Sequence, residues 1–67
     1  MINTEIFEVC DYSNYICFEK TLELVNKLIK DNNIAKTDII EYKTENYEEE
    51  VVGLNCYHYK VIISWWK

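Results

Sequence analysis

Only one stretch of the chain repeats its apolar residues at helical spacing. From Tyr15 to Asp31, the residues Phe18, Leu22, Val25 and Ile29 form a narrow stripe, widened by Leu24 and Leu28. Glu19, Glu23, Asn26, Lys27 and Lys30 take the opposite side. Glu23 precedes Lys27 by one helical turn, the favourable order for an ion pair, and acids come before bases along the axis as the helix dipole prefers. Asp31, Asn32 and Asn33 supply the stop, because asparagine adopts left-handed backbone more readily than most residues. The rest of the apolar sequence alternates with period two. One helix must therefore serve whatever sheet that remainder builds.

Three stretches alternate. In "INTEIFEV", Ile2, Thr4 and Ile6 share one face and Glu5, Phe7 and Val9 the other. The polar "CDYSNY" that follows holds turn and N-cap residues. In "TDIIEYKT", Ile40 and Tyr42 fall on one face, with Ile39, Glu41 and Lys43 on the other. The third stretch runs from Val51 to Trp66, with Gly53 marking a bulge near its start. It places Tyr57, Tyr59, Val61, Ile63 and Trp65 on one face. Cys56, His58, Lys60, Ile62, Ser64 and Trp66 lie on the other. The acidic "ENYEEE" between the second and third stretches is too charged for a sheet centre and reads as a hairpin tip.

The order strand, helix, strand, strand in 67 residues makes a single α+β domain, residues 1–67. A hairpin joins the last two strands, and the third, being the longest and most apolar, belongs in the centre. The sequence thus predicts a β-α-β-β arrangement with sheet order 1-3-2 and one helix on one face. On that arrangement the opposite sheet face carries Phe7, Val9, Ile39, Ile62 and Trp66, and an uncovered apolar patch marks a place of association. The favoured occupant is a second copy, as a homodimer packed sheet on sheet or edge to edge, with a different partner protein next and a monomer with Trp66 exposed at its end as the third alternative. A chain this short buries only about 60% of its unfolded surface, so help from a partner is expected on stability grounds too.

Composition narrows the partners. The net charge is −5, and all seven basic residues are lysine. Such a field repels phosphate backbones, which argues against direct nucleic-acid binding and for a protein partner with a basic surface. The hydrophobic fraction of 49% is that of a folded chain rather than a disordered one. The longest apolar run, "VIISWW", is far short of the roughly 20 residues a membrane span needs, and no basic-then-apolar leader opens the chain. A cytoplasmic protein is expected, without a membrane segment.

Three cysteines and one histidine are the thiol and imidazole ligands of the chain. Cys10, Cys17, Cys56 and His58 have zinc-ligand types, but Cys10 and Cys17 are spaced more widely than the pairs of common zinc knuckles. Free, partly buried thiols beside a half-exposed histidine are the expected state, with no cofactor. A reactive cysteine needs an electropositive niche that this acidic chain does not offer, and no phosphate-binding loop, HExxH or GxSxG pattern occurs. No enzyme activity is expected. The remaining functional candidate is the acidic hairpin, Glu45, Glu48, Glu49 and Glu50 around Tyr47. A carboxylate row flanked by tyrosines suits a lysine- and arginine-lined groove.

Three short motifs carry a resemblance. "IF" in the first strand (Ile6, Phe7), "VNKLI" in the helix (Val25 to Ile29) and "DIIEY" in the second strand (Asp38 to Tyr42) resemble a family of very short sporulation-associated proteins of spore-forming bacteria. That family has no assigned mechanism, so the resemblance implies a compact strand–helix–strand–strand domain and little else; a sporulation-associated structural or assembly protein is the alternative function. The acidic tip and the Trp65–Trp66 end depart from that pattern. The lysine-only, proline-free composition also suits an AT-rich genome, bacterial or phage. In type, though not in any motif, the chain is similar to small acidic phage inhibitors of host defence, anti-CRISPR proteins among them. The function expected is a non-catalytic binding module that inhibits by occupying a surface of a defence or nucleic-acid-binding protein.

Overall fold

A computed structural model describes all of residues 1–67. It contains β1 (Ile2–Asp11), α1 (Asn14–Asp31), a single 3-10 turn (Lys36–Asp38), β2 (Ile39–Val51) and β3 (Leu54–Trp66). The three strands form one antiparallel sheet in the order β1-β3-β2, the predicted topology. No helix is long and apolar enough to cross a membrane.

Both ends of α1 are set by local chemistry. Ser13 is the N-cap; its hydroxyl accepts the Ile16 N–H at 3.3 Å, while the Asp11 carboxylate accepts the Ser13 N–H at 2.9 Å. At the other end Asn33 takes the left-handed conformation at φ 50°. The Ile34 N–H then reaches the Ile29 carbonyl at 3.0 Å and the Asn33 N–H the Lys30 carbonyl at 3.2 Å. This pair of bonds is the Schellman closure, and Ile34 completes it by packing against Ile29. The asparagine stop works as the sequence implies.

The helix is rolled relative to the predicted stripe. Its buried line is Cys17, Thr21 and Val25, whereas Phe18 and Leu22 remain 46% and 41% exposed. Small side chains explain the roll. Cys17 and Thr21 let the helix axis sit close to the sheet, where bulkier residues would hold it away. Both also satisfy their own polar atoms. The Cys17 thiol points at the carbonyls of Val9 and Tyr57, each 3.3 Å away, and the Thr21 hydroxyl donates to the Cys17 carbonyl at 2.7 Å. Phe18 is displaced to the flank, where its ring tilts against Tyr59 with centroids 5.9 Å apart. Further along, Leu28 and Ile29 close over Ile34, Ile39, Ile63 and Trp65.

Strand register decides which face meets the helix. Phe7 lies opposite Val61 and Val9 opposite Tyr59, and side chains opposite each other in an antiparallel pair share a face. Phe7 and Val9 are therefore on the helix side with the buried Val61 and Ile63, not on the open side expected for them. Ile39 joins them. It lies opposite Trp65, and a bulge between Ile39 and Glu41 reverses the alternation that follows. Of the five residues expected on the open face, only Ile62 and Trp66 are there. Their apolar neighbours on β1 are Ile6, opposite Ile62, and Ile2, opposite Trp66.

The acidic stretch is not a tip. Glu45 to Glu50 lie inside β2, paired with Lys60 to Asn55 of β3. The turn comes later, as the two residues Val52 and Gly53 between Val51 and Leu54, at φ 50° and 79°. Two successive positive φ values identify the primed turn whose twist matches a tight hairpin. Gly53 thus closes the turn rather than marking a bulge. β1 ends opposite Tyr57, so beyond that point the sheet narrows to a two-stranded ribbon. The molecule measures 45 × 16 × 13 Å. Its accessible surface is 4955 Å², against about 4,500 Å² for a compact chain of this mass. Ten of 67 residues are buried, a thin core for a domain that must fold.

Candidate interaction surfaces

β2 is the most open element of the protein. Every residue from Ile40 to Glu50 is exposed, because α1 lies over β1 and β3 and leaves β2 beyond Ile39 uncovered on both faces. Five glutamates stand on this strand, at 41, 45, 48, 49 and 50, against one lysine, Lys43. Pleating divides them. Glu41, Glu45 and Glu49 project from the open face, and Glu48 and Glu50 from the helix side. Lys43 pairs with Glu45 at 3.1 Å. Glu48 and Glu50 have no ion-pair partner; Glu48 is level with the end of β1, and Glu50 lies beyond it on the ribbon.

Tyr47 does not stand free among these acids. Its ring stacks face to face on His58, with centroids 4.4 Å apart and planes 1° from parallel. Its hydroxyl donates to Glu8 at 2.7 Å, crossing β3 to reach β1. His58 Nδ1 shares the same Glu8 oxygen at 2.9 Å. The three side chains form a brace over all three strands. Glu8 carries no signal of its own in the sequence, since its partners come from residues 39 and 50 positions away.

The charge states follow from these contacts. The Tyr47 hydrogen bond holds the Glu8 carboxyl below its ordinary range, with further contributions from His58 and Lys60. The same bond pushes the Tyr47 phenol up to about 12, because ionising it would place an anion against Glu8. His58 Nε2 is closed to solvent; Glu49 lies 3.3 Å from it but without the alignment of a hydrogen bond. At the start of α1, Asp11 is held below its usual range by the Ser13 N–H and by Lys20, 2.9 Å away.

The four candidate zinc ligands do not converge. Cys10, Cys56 and His58 are on the open face, but Cys17 is buried on the helix side, with the sheet between. No group of three cysteine, histidine or acidic side chains is disposed to hold a metal ion. Burial pushes the Cys17 and Cys56 thiols up, away from thiolate character.

The apolar part of the open face is a short strip at the end opposite the ribbon. Ile2, Ile6 and Trp66 are 59%, 57% and 57% exposed, and the hydroxyls of Thr4 and Ser64 bond to each other between them at 2.9 Å. Trp65 turns inward and is buried against Ile34 and Ile63, so the helix takes one of the two tryptophans. Two shallow clefts complete the surface. One of about 280 Å³ lies where the ribbon leaves the body, beside Asn46, Tyr57 and Tyr59. The other, of about 270 Å³, runs between α1 and β1 beside Phe7, Leu24 and Leu28. No family model, curated protein or solved structure matches the chain.

Proposed function

We propose that this chain is a small, non-catalytic protein-binding module that presents β2 to a basic surface on another protein and acts as an inhibitor by occupying it. The observation that carries this reading is the exposure of β2. From Ile40 to Glu50 this strand, with its five carboxylates, lies uncovered on both faces and along its outer edge. Complementary charge speeds encounter and selects among partners, and an extended ribbon reaches into a groove as a compact domain does not. The polar groups of the open face support binding over catalysis. Glu8, Tyr47 and His58 are engaged with one another rather than aimed at a common empty position. The surface with the matching chemistry is a lysine- and arginine-lined nucleic-acid groove, as in the phage-type inhibitors of host proteins that the chain is similar to in kind.

Capture experiments with the purified chain test this. A basic protein retained by the wild type is expected to be lost when Glu48, Glu49 and Glu50 are all changed to lysine. It is also expected to be released by added nucleic acid and to bind less tightly as salt rises. Equal retention by the charge-reversed chain would overturn the reading.

A further inference from the structure

The two outer edges of the sheet differ in kind. The Lys67 N–H donates to the Met1 carbonyl at 2.9 Å, and these two residues continue the register that sets Ile2 opposite Trp66. Bonded and non-bonded pairs alternate along an antiparallel ladder. Asn3, Glu5, Phe7, Val9 and Asp11 therefore direct their amides and carbonyls at β3. Ile2, Thr4, Ile6, Glu8 and Cys10 turn theirs outward, along an edge that has no partner. By the same alternation across β3, the outward set on β2 is Tyr42, Thr44, Asn46, Glu48 and Glu50.

Exposed edges are normally guarded by charge, proline or a bulge. β2 is guarded by its five glutamates and by the bulge at Ile39 and Glu41. β1 is not. Asp11 is neutralised by Lys20, and Glu8 accepts from Tyr47 and His58, which leaves Glu5 as the one unpartnered carboxylate on that strand. It has no lysine, no proline and no bulge, and Ile2 and Ile6 are open to solvent. On the helix side, the cleft beside Phe7, Leu24 and Leu28 runs along the same edge, with Leu24 exposed.

We propose that a second copy of this chain docks here, β1 against β1, about a two-fold axis normal to the sheet, making one continuous six-stranded sheet. Such an axis keeps every side chain on its own face, so even-numbered residues must pair with even-numbered ones. The outward-bonding residues of β1 are the even set, so the symmetry and the hydrogen-bond pattern agree. The register centred on Ile6 uses the whole edge. Ile6 meets Ile6 of the second copy, Thr4 meets Glu8, Ile2 meets Cys10, and about ten backbone hydrogen bonds form. No two like charges lie opposite each other. The same operation on β2 would bring together two strands that each carry five glutamates against one lysine, a net repulsion that β1 does not meet, although in the register centred on Asn46 no two glutamates lie directly opposite. On the helix side the two clefts come together across the axis and enclose Phe7 and Leu24 of both copies. This dimer does not depend on the binding role of β2, and it leaves an acidic β2 at each outer edge of the joined sheet.

Sedimentation across a concentration series tests the proposal with two variants. Wild type is expected to dimerise. Ile6→Lys and Ile6→Glu, each placing like charges opposite one another, are expected to dimerise about tenfold or more weakly alone, and an equimolar mixture of the two to restore the dimer. Circular dichroism confirms that both variants fold. Amide exchange in the wild type supplies an independent reading that needs no substitution. The Ile2, Thr4, Ile6, Glu8 and Cys10 amides should slow with concentration, while those of Thr44, Asn46, Glu48 and Glu50 should not. Reversing Glu48 to Glu50 should leave the dimer intact, which separates this test from that of the β2 reading. A wild type monomeric to millimolar concentration, a mixture that fails to restore association, or protection confined to β2 would each overturn it.

Discussion

β2 and β3 are thirteen residues each and lie opposite one another for nearly their full length, yet they have opposite characters. β3 contributes Cys56, Val61, Ile63, Ser64 and Trp65 to the interior; β2 contributes no buried residue. Hydrogen bonding does not separate them, since they share one ladder. Position does. β3 has a strand on each side and the helix above, whereas β2 has a neighbour on one side and, beyond Ile39, nothing above or below. A small domain with a single helix can finish only one strand pair. The strand left over is then free to carry charge that no core would tolerate.

The largest expected effect breaks β3. Ile63 is fully buried, so Ile63→Ala removes transfer free energy and leaves a cavity, at a cost of about 3 kcal/mol or more. That is a large share of the stability of a domain this size, and chemical denaturation should show a steep loss or outright unfolding. Ile40→Ala or Thr44→Ala on β2 should shift stability by no more than about 0.5 kcal/mol. Comparable losses on the two strands would contradict the division between them.

The hairpin turn comes next. Val52 is a β-branched residue held at φ 50° and is 96% exposed, so it has strain without packing to offset it. Val52→Asn creates the Asn-Gly pair that this turn type prefers and should stabilise the fold by about 1 kcal/mol, seen as a raised Tm. A fall in Tm would mean that the valine has a contact the turn geometry does not reveal. At the other junction, Ser13→Ala should cost about 1 kcal/mol through loss of the N-cap.

The smallest effect tests the brace that ties β2 to the body. The Tyr47 phenol is raised to about 12 from an ordinary value near 10. A group raised in the folded state stabilises it below the unfolded value and loses that contribution as pH climbs through the folded one. Stability should therefore fall across roughly pH 10 to 12, and ultraviolet titration should find a late-ionising tyrosine that Tyr47→Phe removes, distinct from Tyr15, which its hydrogen bond to Glu19 also raises. Glu8 is lowered from 4.5, so its contribution is present above that value and disappears as pH drops through the folded value. Tyr47→Phe should flatten both limbs while keeping the stack on His58. Unchanged limbs would show that the brace does not tie the strands together.

Much of this architecture was legible in the sequence. The helix, its asparagine stop, the three strands and the sheet order all follow from the period of the apolar residues and from which strand is most apolar. The helix roll was not legible, because Cys17 and Thr21 reveal their fit only against a particular sheet surface. Nor was the composition of the open face. The β1 alternation correctly separated Ile2, Thr4 and Ile6 from Phe7 and Val9, but which set lies under the helix depends on a register that residues far apart in the chain decide. The signal for the turn was present in Val52-Gly53, and the run of glutamates drew the hairpin tip toward itself.

By itself the sequence determined the number, kind and order of the elements, because periodicity and capping act within a few residues of one another. The tertiary structure alone decided which side of each strand is covered, where the ribbon outruns the body, and that Glu8, Tyr47 and His58 meet. Those outcomes depend on inter-strand register and on a single bulge at Ile39. A shift of one residue turns every side chain of a strand to the opposite face, and no local pattern records it.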